Sequence, residues 1–324
     1  MLYLSKEKLR ELYEEQKLTT YQIAKRLRCC QATVWKRLVY FNIKRRKPHE
    51  LYSNVPSKEQ LVDLYLKKKM STWKIERLYG FSRGTIHRKL REFGLKTRSL
   101  ADSNIKYPRK DFSGDLADKA YLIGFRIGDL GVRKIYPNSK TICVASGSTI
   151  PEQIDLIRDL FKKYGKVWIK KTKNNKINIQ VNLNESFDFL LSKEFPRWIP
   201  RNKKYFFAFL AGFTDAEGWI GVYNNMAVYS LGTYDYKILG VIKENLNKSK
   251  ITTIPIVTDK RKGKATTEGY FFSSDYHTLK IHKKADLLNL FDQIKPYLRH
   301  ENKIKALNKA IDNIEWRNVK YGNK

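Results

Sequence analysis

The 324-residue sequence is poor in cysteine and in acidic charge. It has only three cysteines. Cys29 and Cys30 are adjacent and Cys143 stands alone, which leaves neither a disulfide framework nor zinc-ligand spacing. No run of about 18 apolar residues occurs, which excludes a membrane-spanning helix. The opening MLYLSKEKLRELYEE lacks the apolar stretch of a secretory leader. These absences point to a reducing interior, cytoplasmic (nucleoid-associated) or organellar, and not to secretion. Acidic residues number 32 against 65 Lys plus Arg, for a formal charge of +33. Hydrophobic residues make up 42% and aromatics 13%. That is enough for packed cores, so the charge does not mark a disordered tail. A surplus of this size implies a polyanionic partner, with nucleic acid foremost.

The charge is spread along the chain. Residues 1–110 carry 28 Lys and Arg against 10 Asp and Glu, a surplus of 18 out of the total of 33. The N-terminal third is the denser part, yet both parts are positive, as two separate nucleic-acid-binding surfaces would require.

Residues 5–46 repeat without a gap in residues 57–98 at a shift of 52. Ser5-Lys6-Glu7 falls on Ser57-Lys58-Glu59, Leu12-Tyr13 on Leu64-Tyr65, Ile23 on Ile75, Leu38 on Leu90, Phe41 on Phe93 and Arg46 on Arg98. The spacing predicts three short helices per unit, near 5–16, 19–27 and 31–41 in the first. Thr19 and Ser71 suit N-caps of the second helices, and Cys30 and Ser82 precede the third. Each unit ends in a basic tail, Asn42-Ile43-Lys44-Arg45-Arg46-Lys47 and Gly94-Leu95-Lys96-Thr97-Arg98. The pattern resembles a tandem helix-turn-helix, with units at 1–50 and 51–98 whose third helices enter the major groove. Residues off the apolar stripe would then read bases: Gln31, Ala32, Trp35 and Lys36 in one, and Arg83, Gly84, His87 and Arg88 in the other. Residues 99–115 are polar and aperiodic and read as a basic linker, with Lys106, Arg109 and Lys110 placed to follow phosphates.

Two further segments share one grammar. Tyr121-Leu122-Ile123-Gly124-Phe125-Arg126-Ile127-Gly128-Asp129 and Phe209-Leu210-Ala211-Gly212-Phe213-Thr214-Asp215-Ala216-Glu217-Gly218 are apolar helices with small residues four apart. Gly124 and Gly128, Gly212 and Ala216 would let the two backbones approach. Asp129 and Glu217 would then meet at the C-terminal ends, where helix dipoles and like charge oppose them. A divalent cation relieves that conflict, and hard oxygen ligands suit Mg²⁺ or Mn²⁺.

LAGFTDAEG resembles the LAGLIDADG motif of homing endonucleases, with Phe213, Thr214 and Glu217 as the departures. The first copy is looser: Arg126 stands at an aliphatic place and Leu130 at the last glycine, with Gly131 next. The acidic position survives as Asp129. Two copies 88 residues apart imply the family's α+β fold. That fold is a pseudo-symmetric pair of αββαββα units, at 116–200 and 201–324, behind the all-α tandem helix-turn-helix region. The resemblance also implies paired acids that hold metal to activate water and stabilise the leaving 3′ oxygen. A nearby basic residue would assist. Lys303 is preferred for it over Lys280, Lys283, Arg299 and Arg197. Asp215 reads as a structural helix-end acid, and His277, His282 and His300 lack ligand spacing.

Residues 176–183 alternate strictly. Ile177, Ile179, Val181 and Leu183 face a core, while Lys176, Asn178, Gln180 and Asn182 face out. The partner strand turns out Lys166, Trp168 and Lys170, and this is chemistry for reading a major groove. A helix at 151–164 follows strands within 132–145. The second half echoes the order, with strands near 219–231, a helix near 235–247, strands near 251–258 and 269–281, and helices 284–298 and 301–318. Lys260, Arg261 and Lys262 form a basic hairpin tip suited to phosphates.

The sequence therefore reads as a metal-dependent, site-specific endonuclease of double-stranded DNA, acting as a monomer without a membrane. A non-cleaving transcription regulator and an intron RNA maturase are the other uses of the fold, and intron RNA is a second conceivable partner. Met1 and the terminal Tyr321-Gly322-Asn323-Lys324 lack splice-junction residues, so no intein is expected.

Overall fold

The computed structural model describes residues 5–46, 56–80, 82–98, 105, 107–172, 175–266 and 269–322. The chain divides after Ile105 into two units. In the first unit α1 (Lys6–Arg10) continues through a wider π turn at Glu11–Glu15 and is followed by α2 (Thr20–Arg26) and α3 (Gln31–Tyr40). The second copy has α4 (Lys58–Leu61) with a π turn at Val62–Lys67, then α5 (Thr72–Tyr79) and α6 (Arg83–Glu92). Side-chain caps set the starts. Thr19 accepts from the Gln22 amide, Ser57 from Gln60 and Ser71 from Lys74, each at 3.2 Å. Cys30 occupies the cap position of α3 but makes no capping bond, because thiol sulfur is a weak acceptor.

Left-handed residues recur at one register: Lys17 with Lys69 (φ 54° and 50°), Arg28 with Gly80 (51° and 74°), and Asn42 with Gly94 (55° and 68°). The chain thus reverses at the same three places in both copies. Each copy has its own core, built on Leu9, Leu12, Ile23, Val34 and Leu38, or on Leu61, Leu64, Ile75, Ile86 and Leu90.

In the second unit α7 (Leu116–Asp129) leads into β1 (Gly131–Lys134), β2 (Ile142–Ser148), α8 (Pro151–Phe161), β3 (Val167–Lys171) and β4 (Ile177–Leu183). The second half runs α9 (Lys203–Glu217), β5 (Gly218–Tyr223), β6 (Met226–Thr233), α10 (Tyr236–Lys248), β7 (Val257–Asp259) and β8 (Tyr276–Ile281), and closes with α11 (Lys284–Ile294) and α12 (Glu301–Tyr321). Two four-stranded antiparallel sheets result, ordered β1-β2-β4-β3 and β5-β6-β8-β7. The same order in both makes the halves topological copies in an α+β fold. The alternation in β4 buries Ile179, Val181 and Leu183 and turns out Asn178 and Gln180.

Three expectations change. The strand foreseen at 251–258 shrinks to β7, since Pro255 has no N–H for the ladder; Ile254 still donates to the Lys280 carbonyl at 3.1 Å. The strand foreseen at 269–281 is β8 alone. The foreseen linker 99–115 is docked on the second unit from Tyr107 onward. Lys110 N–H donates to the Tyr164 carbonyl and Phe112 N–H to Ser186, each at 2.8 Å. Arg109 donates to Thr141 Oγ1 at 2.6 Å, so it is held by protein groups and does not follow a phosphate path. Lys106 lies outside the described residues. No helix among the described residues is long and apolar enough to cross a membrane.

Candidate active site

The two helices that carry the acids touch backbone to backbone. A Cβ placed on Gly124 would lie 2.0 Å from the Phe209 carbonyl oxygen, and one on Gly212 would lie 2.0 Å from the Tyr121 carbonyl oxygen. The two contacts exchange under the 88-residue shift, so α7 and α9 meet about a local two-fold. One turn further, a Cβ on Gly128 would lie 2.4 Å from the Ala216 Cβ and 2.8 Å from Glu217 Cγ. The small residues singled out in the sequence therefore form the interface, and the C-terminal ends of the helices converge with Asp129 and Glu217.

Both carboxyls titrate above their ordinary range. Burial raises Asp129, against a hydrogen bond from Gln153 and the charge of Lys303. Burial raises Glu217 too, and the Asp129 charge adds to it while Lys303 opposes. Lys303, in the first turn of α12, is pushed down by burial and supported by Asp215, Asp129 and Glu217. Its ammonium donates to the carbonyl of Gly218, the residue after Glu217. Two half-buried acids and one half-buried lysine thus share a small volume at the dipole-negative ends of two helices.

The donor set fits a hard divalent ion. No group of three or more His, Cys, Asp and Glu able to hold a metal occurs among the described residues. Mg²⁺ is commonly held by one or two carboxylates, with water and substrate phosphate completing its shell. Asp129 and Glu217 meet that requirement, and the Asp129 charge holds Glu217 above its ordinary range.

Gln153 had no distinguishing sequence signal. It is buried at the start of α8 and donates to Asp129 Oδ2, so it fixes how that carboxylate is turned. Asp215 is tied elsewhere. Its Oδ2 accepts from the Tyr121 hydroxyl at 2.6 Å, from Arg299 N–H at 2.7 Å and from His300 N–H at 3.1 Å. It anchors the entrance to α12, and burial raises its pKa to about 6.

The other basic candidates are engaged or placed differently. Arg299 pairs with Asp118 and lies 4.3 Å from the Tyr121 ring centroid. Lys280 sits opposite Ser230 in the sheet, Lys283 flanks α11, and Arg197 is an exposed loop residue. His277 contacts Thr258 at 2.9 Å, and His282 is exposed.

The sheet registers place the predicted readers together. Trp168 lies opposite Gln180, Lys170 opposite Asn178, and Asn182 opposite Cys143, whose other neighbour is Arg133. Lys166 and Lys176 flank the strands as exposed residues. Arg133 joins this face through its register alone. In the second half the equivalent face holds Trp219, Tyr223, Ser230, Tyr276 and Lys280, which were not singled out as readers. Lys260 and Lys262 are exposed, whereas Arg261 pairs with Asp259 at 2.7 Å.

In the first unit Gln31, Trp35 and Lys36 lie off the buried Val34–Leu38 stripe, and Arg83, His87 and Arg88 lie off Ile86–Leu90. Gln31 donates to Thr20 at 2.9 Å and Arg83 pairs with Glu76 at 3.5 Å. The basic tails behave differently from expectation. Arg46 donates to the carbonyls of Lys17 and Leu18 and lies 4.3 Å from the Tyr13 ring centroid. Arg98 does the same with Lys69, Met70 and Tyr65, at 4.4 Å. These two arginines close the C-terminal carbonyls of each first helix.

No family model matches the chain, and no curated protein matches it. Among solved structures it is similar to the homing endonuclease I-DmoI in complex with DNA and Ca, at 17% identity, covering 60% of this chain and 97% of that one, with a TM-score of 0.41. It is similar to the homing endonuclease I-WcaI bound to its DNA recognition sequence, at 16% identity, 60% and 88% coverage and a TM-score of 0.42. The N-terminal LAGLIDADG domain of DUF199/WhiA is 15% identical over 66% of this chain and 98% of that one, with a TM-score of 0.39.

Proposed function

We propose that the chain is a site-specific, divalent-metal-dependent endonuclease of double-stranded DNA, of the LAGLIDADG type. The reading rests on one observation above the rest: Asp129 and Glu217 converge beside Lys303 at the base of a glycine-packed helix pair. Each half contributes one acid, so each strand of a duplex has its own carboxylate, and one chain suffices for both cuts. The target need not be palindromic, because the two sheet faces differ in sequence. A bound divalent ion would lower the pKa of water and draw charge from the scissile phosphate. Asp129 and Glu217 would hold it, and Gln153 would keep the Asp129 carboxylate in one orientation. Lys303 would place a positive charge where the phosphate becomes more negative, from a half-buried position that water screens less than the open surface.

The sheet faces supply amide and cationic groups for base edges, with Asn178, Gln180 and Lys170 in the first half and Ser230 and Lys280 in the second. The N-terminal repeats add a second contact through Gln31, Trp35, Lys36, Arg83, His87 and Arg88. Helices presented this way fit the B-form major groove and not the deep, narrow A-form one, which favours DNA over RNA.

The test is a cleavage selection with the full chain and Mg²⁺ on a genomic or randomised duplex library, sequencing the cut ends. Discrete staggered cuts at one long site, absent with EDTA, are the expected result. Tight duplex binding with no cutting in Mg²⁺ or Mn²⁺ would turn the reading to a regulator, and preference for structured RNA would turn it to a maturase.

A further inference from the structure

The two halves are topological copies, yet one connection differs. β3 and β4 are joined by five residues, 172–176, whereas β7 and β8 are joined by sixteen, 260–275. The described residues of the long connection form a finger. Gly263 N–H donates to the Phe272 carbonyl at 2.9 Å, Phe272 N–H to Lys264 at 3.0 Å and Thr266 N–H to Tyr270 at 2.6 Å. Ala265 and Phe271 form a bridge across it. Gly263 and Gly269 take φ of 79° and 84° at its bends, a region that favours glycine. At the root, Arg261 lies 4.9 Å from the Tyr276 ring centroid and 5.8 Å from that of Phe272.

The root stands close to the catalytic acid: the Tyr276 hydroxyl packs against Gly232, whose neighbour Leu231 pairs in the sheet with Gly218, the residue after Glu217. From Tyr276 back to Tyr270 is six residues, a reach of at most about 20 Å. At the far end Tyr270 and Phe271 are 72% and 73% exposed. Lys260, Lys262 and Lys264 are exposed along the same finger. Exposed rings among cations do not suit a protein partner, whose contact core is depleted of charge. They suit a polyanion that also offers flat apolar faces, and the root places one at hand: the duplex cut next to Glu217.

We propose that this finger presses Tyr270 and Phe271 against or between bases of the target duplex, unstacking it locally within about six base pairs of the cut made by the second half. The proposal rests on the endonuclease reading above. The lysines supply sequence-independent attraction, and the rings supply stacking that salt does not screen.

The full chain is tested on its selected target, with 2-aminopurine scanned through the central positions. A several-fold fluorescence rise at one or two positions is expected, lost in Tyr270→Ala/Phe271→Ala. That variant should bind about ten- to a hundredfold more weakly with an unchanged slope of log affinity against log salt. Lys260→Ala/Lys262→Ala/Lys264→Ala should instead lower the slope by about 2 to 3. No brightening at any position, or aromatic variants that bind like the wild type, would overturn the finger proposal while leaving the endonuclease intact. A wild-type chain that binds no duplex at all would overturn both, and brightening only on RNA would move the finger to that substrate.

Discussion

Lys303 reaches back across the fold to donate its ammonium to Gly218, one residue beyond Glu217. This ties the start of the last helix to the base of the α7–α9 pair, so the half-buried cation and the two acids belong to one electrostatic unit. Each acid is raised by burial and lowered by Lys303, and Lys303 is lowered by burial and raised by the acids.

If Asp129 and Glu217 act on the scissile phosphates, Asp129→Asn and Glu217→Gln should each reduce double-strand cutting by at least about a thousandfold. Removing one preorganised electrostatic group alone costs about a hundred- to a thousandfold, and each substitution would also remove one of the two carboxylates proposed to hold the metal. Duplex affinity in Ca²⁺ should stay within about threefold, because neither side chain lies on the reading faces. Filter binding and plasmid cleavage measure the two quantities. A matching loss of affinity would mean these acids are structural.

Lys303→Met keeps the length of the side chain and removes its charge. Single-turnover cleavage should fall by about a hundredfold or more, with binding unchanged. Lys303→Arg should recover little, since the guanidinium does not fit where a single ammonium meets one carbonyl. Cleavage by the Met variant within threefold of wild type would exclude Lys303 from the chemistry.

Much of this was legible because it depends on spacing. The shift of 52 fixed the repeat, and the shift of 88 fixed which glycines face each other. The alternation at 176–183 fixed one sheet face. What stayed hidden depends on long-range folding. Gln153 sits in an ordinary amphipathic helix, and only the docking of α8 brings it to Asp129. Arg46 and Arg98 read only as matching members of two basic tails until the carbonyls of Lys17 and Lys69 are in place. Arg126, foreign to the motif, is buried without disturbing the helix pair because the Leu190 and Leu130 carbonyls accept from it. The returning half of the finger, 269–275, reads as strand in the sequence because its aromatic run has high β-propensity, while β8 begins only at Tyr276.

The glycine contacts make a symmetric prediction. Gly124→Ala and Gly212→Ala should each cost roughly 3 kcal/mol or more, above the usual overpacking range, because a methyl meets an opposing backbone carbonyl at 2.0 Å. Gly240→Ala, inside α10 where an added Cβ would meet nothing beyond its own helix backbone within 4 Å, should instead stabilise by about 0.5–1 kcal/mol. Urea unfolding of the three variants decides it. A neutral Gly212→Ala would show that the helices pack more loosely than these distances state.

Arg46→Ala and Arg98→Ala should each destabilise their own repeat by about 2 kcal/mol, through two charge-assisted hydrogen bonds and a ring contact. Hydrogen exchange across 6–16 and 58–67 reports each repeat separately. Weaker DNA binding with unchanged protection would make these arginines phosphate contacts instead.

His300 makes the start of α12 sensitive to pH. Its Nδ1 accepts from the Asn302 amide at 3.2 Å, which requires the neutral ring with the proton on Nε2. Burial, then the Lys303 charge, lowers its pKa below the ordinary histidine value. The folded state therefore disfavours the proton, so this stabilisation is complete above the unfolded pKa, about 6.5, and is lost as pH falls through the folded value. Protonation also removes the cap, worth about 1 kcal/mol. His300→Asn can keep a capping oxygen without titrating. Between pH 7.5 and pH 5 the wild type should lose stability relative to this variant in urea unfolding. Exchange at the amides of 301–304 should rise in the wild type alone. Parallel stability curves for the two proteins over that range would show that the ring does not titrate in place.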